Sequence, residues 1–398
     1  MDEFDDAALV GRVARRPAAG EPISRMFKPW HRPRKQWVRR FQWHASVLGL
    51  LRDAHFPADG RIMRYLSLPG EDLLDVRVLR EACEESGVAL RFTGLNAVTP
   101  GSARDIQLNI AESEMRGLVG IHDGSAVLRE RFETVANVES LAFAEIRDGG
   151  PFHAVNIDLC DHLALKPQGG GRHTVIDALA EVIQLQLQNA MHPWLLFVTT
   201  RVAPDQIDAR NLAALVHAVT DNVLASAEFA ERTARLLRQE ADALLAALAD
   251  PAGLDPLEFT KLFALGFGKW LLRFVGAAHP ARELRMLPSC FYAVVPGRPD
   301  MLSLGFRCDV VRMPAWDRYD LVGDRWQDAA AAEIDHGLGI LGVAEQIDDL
   351  DAALASDARL MEAVTAESAD LLRAAHYEVD GDPGYRGWLA TGARPRAA

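Results

Sequence analysis

A chain of 398 residues, 49% hydrophobic and 25% charged, has the composition of a folded globular protein able to bury a large core. Its formal net charge of −13 excludes a surface coated throughout for nucleic acid or anionic lipid, while leaving room for a local basic patch that binds phosphate. The four cysteines, Cys83, Cys160, Cys290 and Cys308, form no C-x-x-C pair, so neither a zinc module nor a disulfide framework is expected and no metal site is assigned. The N-terminal MDEFDDAALVGRVARR has no signal-peptide core, and no apolar run reaches the length of about 18 residues that a membrane span needs. The expected setting is cytoplasmic, away from membranes.

Residues 1–24 read as an arm punctuated by Pro17, Gly20 and Pro22. SRMFKPWHRPRKQWVRRFQWH follows, and it contains no acid. Its Lys28, Arg32, Arg34, Lys35, Arg39 and Arg40, with Trp30 and Trp37 among them, are candidates for nucleic-acid or phosphate binding, cations for phosphates and indoles for exposed bases. The same residues suit a docking segment whose tryptophans are buried and whose arginines meet acids. HASVLGLLR completes this region as a helix.

A regular rhythm then begins. RIMRYLSL reads as a strand, and EDLLDVRVLREACEES as a helix whose Asp72 and Asp75 suit the first turn and which Gly87 closes. VALRFTGL is a second strand, TPGSARDIQLNIAESEMRG a helix, GLVGIHD a third strand or edge segment and SAVLRERFETVANV another helix. PFHAVNIDLC and PWLLFVTTRV are apolar strands flanking the helix HTVIDALAEVIQLQLQNAM. Strands without a polar face, alternating with helices, predict a doubly wound, mostly parallel α/β sheet covered on both sides. Beyond residue 205 come three helices, ARNLAALVHAVTDNVLA, FAERTARLLRQEADALLAALAD and PLEFTKLFALGFGKWLLRFVG. CFYAVV and MLSLGFRCDVV around PGRPD predict an antiparallel hairpin. The predicted organisation is an arm and helix over 1–58, an α/β domain over 59–312 with a helical insert near 206–285, and a helical tail over 313–398. The tail helices are candidates for a protein partner or for self-association.

Ligands of open α/β sheets bind where strands end at their carboxyl edge. The sequence places Leu68, Pro69 and Gly70 after the first strand, Asn96 after the second, Asp123 after the third, and Asp158 and His162 at the end of the fourth. GGGRH at 169–173 reads either as a flexible loop or as a phosphate cradle.

This order of elements, with LPGED, RFTGLNAV and NIDLCDH at the strand ends, resembles the class I S-adenosylmethionine-dependent methyltransferase superfamily over roughly 60–312. The resemblance implies a Rossmann-like sheet finished by antiparallel strands. It also implies S-adenosylmethionine as cofactor, with Leu68, Pro69 and Gly70 beneath its amino-acid and ribose portions, Asn96 at the ribose and Asp123 at the adenine. Asp158 and His162 would then orient or deprotonate the methyl acceptor, a nucleic acid reached through residues 25–44 or a nucleotide-containing compound. This sequence departs from the family pattern in having one glycine in the first turn, Asn96 where an acid is usual, and no N-P-P-[FY] phrase. Those departures fit the alternative of a non-catalytic methyltransferase-fold component of a multi-protein system, such as one for anti-phage defence. A nicotinamide-dependent oxidoreductase is set aside because G-x-G-x-x-G is missing after the first strand.

Overall fold

The computed structural model describes residues 25–56, 61–165, 172–295, 297–311, 329–382 and 384–390. Residues 1–24, most of GGGRH and the terminal GARPRAA lie outside the described residues. The predicted alternation of strands and helices builds one eight-stranded sheet in the order β3-β2-β1-β4-β5-β7-β6-β8. β1 (Ile62–Ser67), β2 (Ala89–Leu95), β3 (Ala126–Leu128), β4 (Ala154–His162) and β5 (Trp194–Arg201) are mutually parallel. β6 (Arg282–Tyr292) and β7 (Met301–Val310) form the hairpin, with β7 inserted antiparallel between β5 and β6. The short β8 (Asp348–Asp349) adds in parallel to β6.

Successive side chains of a strand point to opposite faces, and both faces here are apolar. On β5, Leu195 and Phe197 join one cluster with Trp43, Val47, Met63 and Phe92, while Leu196 and Val198 join the other with Ile157, Leu179, Phe263 and Phe306. That two-sided burial is why β5 reads as a continuous apolar run. The first face is covered by α1 (residues 33–51), α2 (Leu74–Glu85) and α3 (Ala103–Arg116). The second is covered by α4 (Leu141–Gly149), α5 (Val175–Asn189) and the helices after β5. Those are α6 (Ala209–Ala225), α7 (Ala227–Leu236), α8 (Leu244–Ala249) and α9 (Pro256–Gly276). The chain ends in α10 (Ala329–Glu345), α11 (Leu350–Ser356), α12 (Ala358–Ala374) and α13 (Gly384–Ala390). The first cluster holds Val38 and Trp43 of α1, Tyr65 and Phe197 of the sheet, and Leu350 and Val364 of the C-terminal helices, so one core joins all three segments.

Within α1, residues Val38–His44 are π-helical. The wider turn sets Val38, Arg39, Gln42 and Trp43 all inward. Gln42 Nε2 donates to the Ser303 carbonyl at 3.1 Å and its Oε1 accepts from Ser303 Oγ at 2.7 Å, which pins the helix to β7.

Two elements differ from expectation. GLVGIHD is not the third strand: Ile121 makes only an isolated bridge to Leu90, and β3 instead lies within SAVLRERFETVANV, followed by a 3-10 turn at Phe132–Ala136. A three-residue edge strand carries too few alternations to outweigh a helical pattern. The helix predicted from FAERTARLL onward is split into α7 and α8 where Arg238 takes a left-handed φ of 50°.

Candidate functional site

From β1 the chain winds one way to β2 and β3, then returns to the other side of β1 for β4 and β5. The carboxyl ends of β1 and β4 therefore diverge, leaving a crevice where an open α/β sheet binds its ligands. Leu68, Pro69, Gly70, Asn96 and Asp158 all line it, in a cavity of about 320 Å³ that continues into a second lobe of about 410 Å³ toward Phe132 and Thr174. These are the dimensions of a small-molecule site. Trp30, Arg34, Lys35 and Arg39 close the first, main lobe from the N-terminal side, with Tyr292 and Met301 of the hairpin opposite.

The turn after β1 is tightly built. Leu73 N donates to the Gly70 carbonyl at 3.1 Å, and Leu73, fully buried, sits in the left-handed region with φ 52°. A bulky residue held there is strained and is kept so by its surroundings. At Gly94 an added Cβ would lie 2.9 Å from Pro69 Cγ and 3.0 Å from Val127 Cγ2, so only glycine lets β2 approach this turn. At Gly70 an added Cβ would meet nothing within 4 Å. Its backbone faces open space. Asn96 Nδ2 donates to the Pro69 carbonyl at 2.7 Å, joining the two loops, while its Oδ1 has no protein donor among the described residues.

The charges around the cavity are largely paired. Lys35 Nζ lies 2.6 Å from Asp158 Oδ1 and over the Trp43 ring at 4.6 Å, and burial lowers the Lys35 pKa even with the carboxylate beside it. Asp72 accepts from Tyr377 Oη at 2.6 Å and from Arg25 at 3.2 Å. Asp75 has no cation in contact among the described residues. It accepts from Tyr65 Oη at 2.8 Å and from Ser67 Oγ, and Tyr65 Oη in turn accepts from Asn156 Nδ2 at 2.9 Å. Burial pushes the Asp75 carboxyl upward in pKa, against the pull of those two hydroxyls. Sequence reasoning took Asp75 for a helix-start residue. The signal it passed over is polarity in buried strands, with Tyr65 and Ser67 two apart on β1 and Asn156 amid the apolar run of β4.

One expectation is corrected. Asp123 precedes β3, lies near the amino end of β2, and lines a separate recess with Asn109, Glu112 and Arg116. Glu130, two residues past β3, occupies the second lobe instead. His162 is 1% exposed, its ring edge-on to Phe263 at 5.5 Å, and its Nδ1 accepts from Ala164 N at 3.0 Å. Burial lowers its pKa to about 4, so near neutrality it is an uncharged, weak base, and it lines the second lobe of the crevice beside Asp161. Of the two readings of the basic segment, its contacts are those of the docking one: Arg34 bonds Asp351 at 3.2 Å and the Ala293 carbonyl, Arg40 pairs with Glu81 at 2.8 Å and Glu367 at 3.2 Å, and Arg32 stacks over Trp388 at 5.2 Å. Trp37 packs against Phe41, and Lys28 is exposed.

Among the described residues no cluster of His, Cys, Asp and Glu could hold a metal ion, and no helix is long and apolar enough to cross a membrane. No curated protein matches the chain. A family model described as PP_RS20740-like matches residues 24–390, from the N-terminal wall of the crevice to the last described helix. On that match the chain belongs to the PP_RS20740-like family.

Proposed function

We propose that this protein is a Rossmann-like, class I methyltransferase-type protein that binds S-adenosylmethionine in the switch-point crevice and transfers its methyl group to a small acceptor. The observation that carries the reading is the sheet itself: β3-β2-β1-β4-β5-β7-β6 with β7 alone reversed, and a crevice of small-molecule size at the β1/β4 divergence. The residues present fit the cofactor. Gly70 offers an unobstructed backbone, Asn96 Oδ1 a free acceptor for a ribose hydroxyl, and Glu130 an acceptor for the adenine amino group in the place first expected of Asp123. When bound, S-adenosylmethionine supplies a methyl group carried on a sulfonium.

The chain's contribution is chiefly alignment of the two reactants. Asp158, fixed by Lys35 at 2.6 Å, orients the acceptor at the end of β4. A small acceptor suits the site better than a polymer, since Arg34 and Arg40 are engaged by acids of the same chain and do not form an open basic track. A second reading, ligand binding without transfer, is favoured by one fact: Glu71, Asp72, Asp75 and Asp158, the acids of the main lobe, each already have a partner. Isothermal titration with S-adenosylhomocysteine tests the proposal, with saturable binding near one per chain expected and weakened by Asn96→Ala. Absence of heat at high protein concentration would end it.

A further inference from the structure

Among the cations around the main lobe, Arg39 stands apart. It is 4% exposed, yet its Nη2 donates only to the Trp30 carbonyl, at 3.1 Å, and its buried Nε has no partner. No carboxylate lies within ion-pair distance of it among the described residues, whereas Arg34, Lys35, Arg104 and Arg201 each have one. A buried charge is ordinarily paired, because leaving water unpaired costs several kcal/mol. Asp158 does not meet that need, being held by Lys35 at 2.6 Å, and Asp75 is held by two hydroxyls. What remains at the cavity wall is one guanidinium that feels the charges of Asp158 and Asp75 but has no carboxylate in contact, placed by the π-helical turn of α1, with Trp30 lining the same lobe.

We infer that Arg39 is the anchor for an oxyanion, a carboxylate or phosphate monoester, carried by the acceptor molecule. A guanidinium presents its donors as a planar fork that matches two oxygens of such a group. Trp30 offers a flat apolar face to the ring or chain bearing it. The anion site stands on the geometry of Arg39 alone, and its assignment to the methyl acceptor rests on the function proposed above.

The test uses the full chain, wild type, Arg39→Met and Arg39→Lys, titrated with inorganic phosphate, with benzoate and with S-adenosylhomocysteine. Wild type should bind phosphate or benzoate saturably, and whichever probe binds tells which oxyanion the site prefers. Arg39→Met should lose that binding by about tenfold to a hundredfold while keeping S-adenosylhomocysteine affinity. Arg39→Lys retains the charge but loses the fork, so it should fall about tenfold, and it decides the matter alone should Arg39→Met not fold. Equal probe binding in all three proteins, or none in wild type, would overturn the inference. Loss of S-adenosylhomocysteine affinity in step with Arg39 would also overturn it, by giving the anchor to the cofactor. Arg39-dependent anion binding without any binding of S-adenosylhomocysteine would keep the anion site and reject the methyltransferase reading.

Discussion

Replacing Asp158 by Asn keeps the shape of the side chain and removes its charge. The consequence falls on Lys35, whose side chain is 5% exposed, against 26% for Asp158. Deleting one member of a buried pair costs about 3–5 kcal/mol because the survivor is left charged and dry. Asp158 already reaches some water, so the low end, about 3 kcal/mol, is expected here. Lys35→Met should cost less, since the exposed partner can rehydrate and the methionine replaces the apolar stem that runs beside Trp43. The double variant should return to within about 1 kcal/mol of wild type. The pH dependence has a definite sign. A lysine whose folded pKa lies below its unfolded value binds fewer protons when folded, so stability increases as pH rises from the folded pKa toward 10.5. That rise should be steeper in Asp158→Asn, where nothing opposes the burial. Urea midpoints between pH 7 and 10 measure all of this. An Asp158→Asn variant as stable as wild type, or a double variant that sums the two losses, would refute Asp158 as the compensation for the buried Lys35 charge.

Other consequences are equally specific. Gly94→Ala should destabilise the fold by about 1–3 kcal/mol, because the new Cβ collides with Pro69 and Val127. Gly70→Val should leave urea stability within about 0.5 kcal/mol yet weaken S-adenosylhomocysteine by about tenfold or more, since its side chain projects into open crevice. Because burial holds His162 neutral, with a pKa of about 4 against an ordinary 6.5, its contribution is present above 6.5 and lost as pH falls toward 4. His162→Asn should flatten the stability profile over that window by about 3 kcal/mol. Single-stranded oligonucleotide should show no tight, salt-sensitive binding, and binding that disappears in Arg40→Ala would restore the polymer reading.

The parallel sheet was legible because a strand buried on both faces must be apolar throughout, as Trp194–Arg201 is, and a covering helix must carry the apolar face seen in Val175–Asn189. Gly70, Asn96 and Asp158 followed from the rule about carboxyl ends, and they do share one crevice. Asp123 failed with the three-residue edge strand, which a window of 11–18 residues cannot resolve from a helix. The basic segment was ambiguous for a different reason. Whether an arginine meets a phosphate or a carboxylate depends on partners far along the chain, such as Asp351 for Arg34 and Glu367 for Arg40, and no local pattern reports them. Arg39 looked like its neighbours in sequence, and only the packed α1 shows that its buried Nε has no partner and that no carboxylate among the described residues is in contact with it.

The central claim is that the β1/β4 crevice is a cofactor site, and a crystal structure of the full chain soaked with S-adenosylhomocysteine tests it most directly. The account predicts density with the ribose at Asn96, the adenine toward Glu130 and Phe132, and the amino-acid portion over Gly70. An empty crevice at saturating ligand, or density confined to another surface, would contradict it.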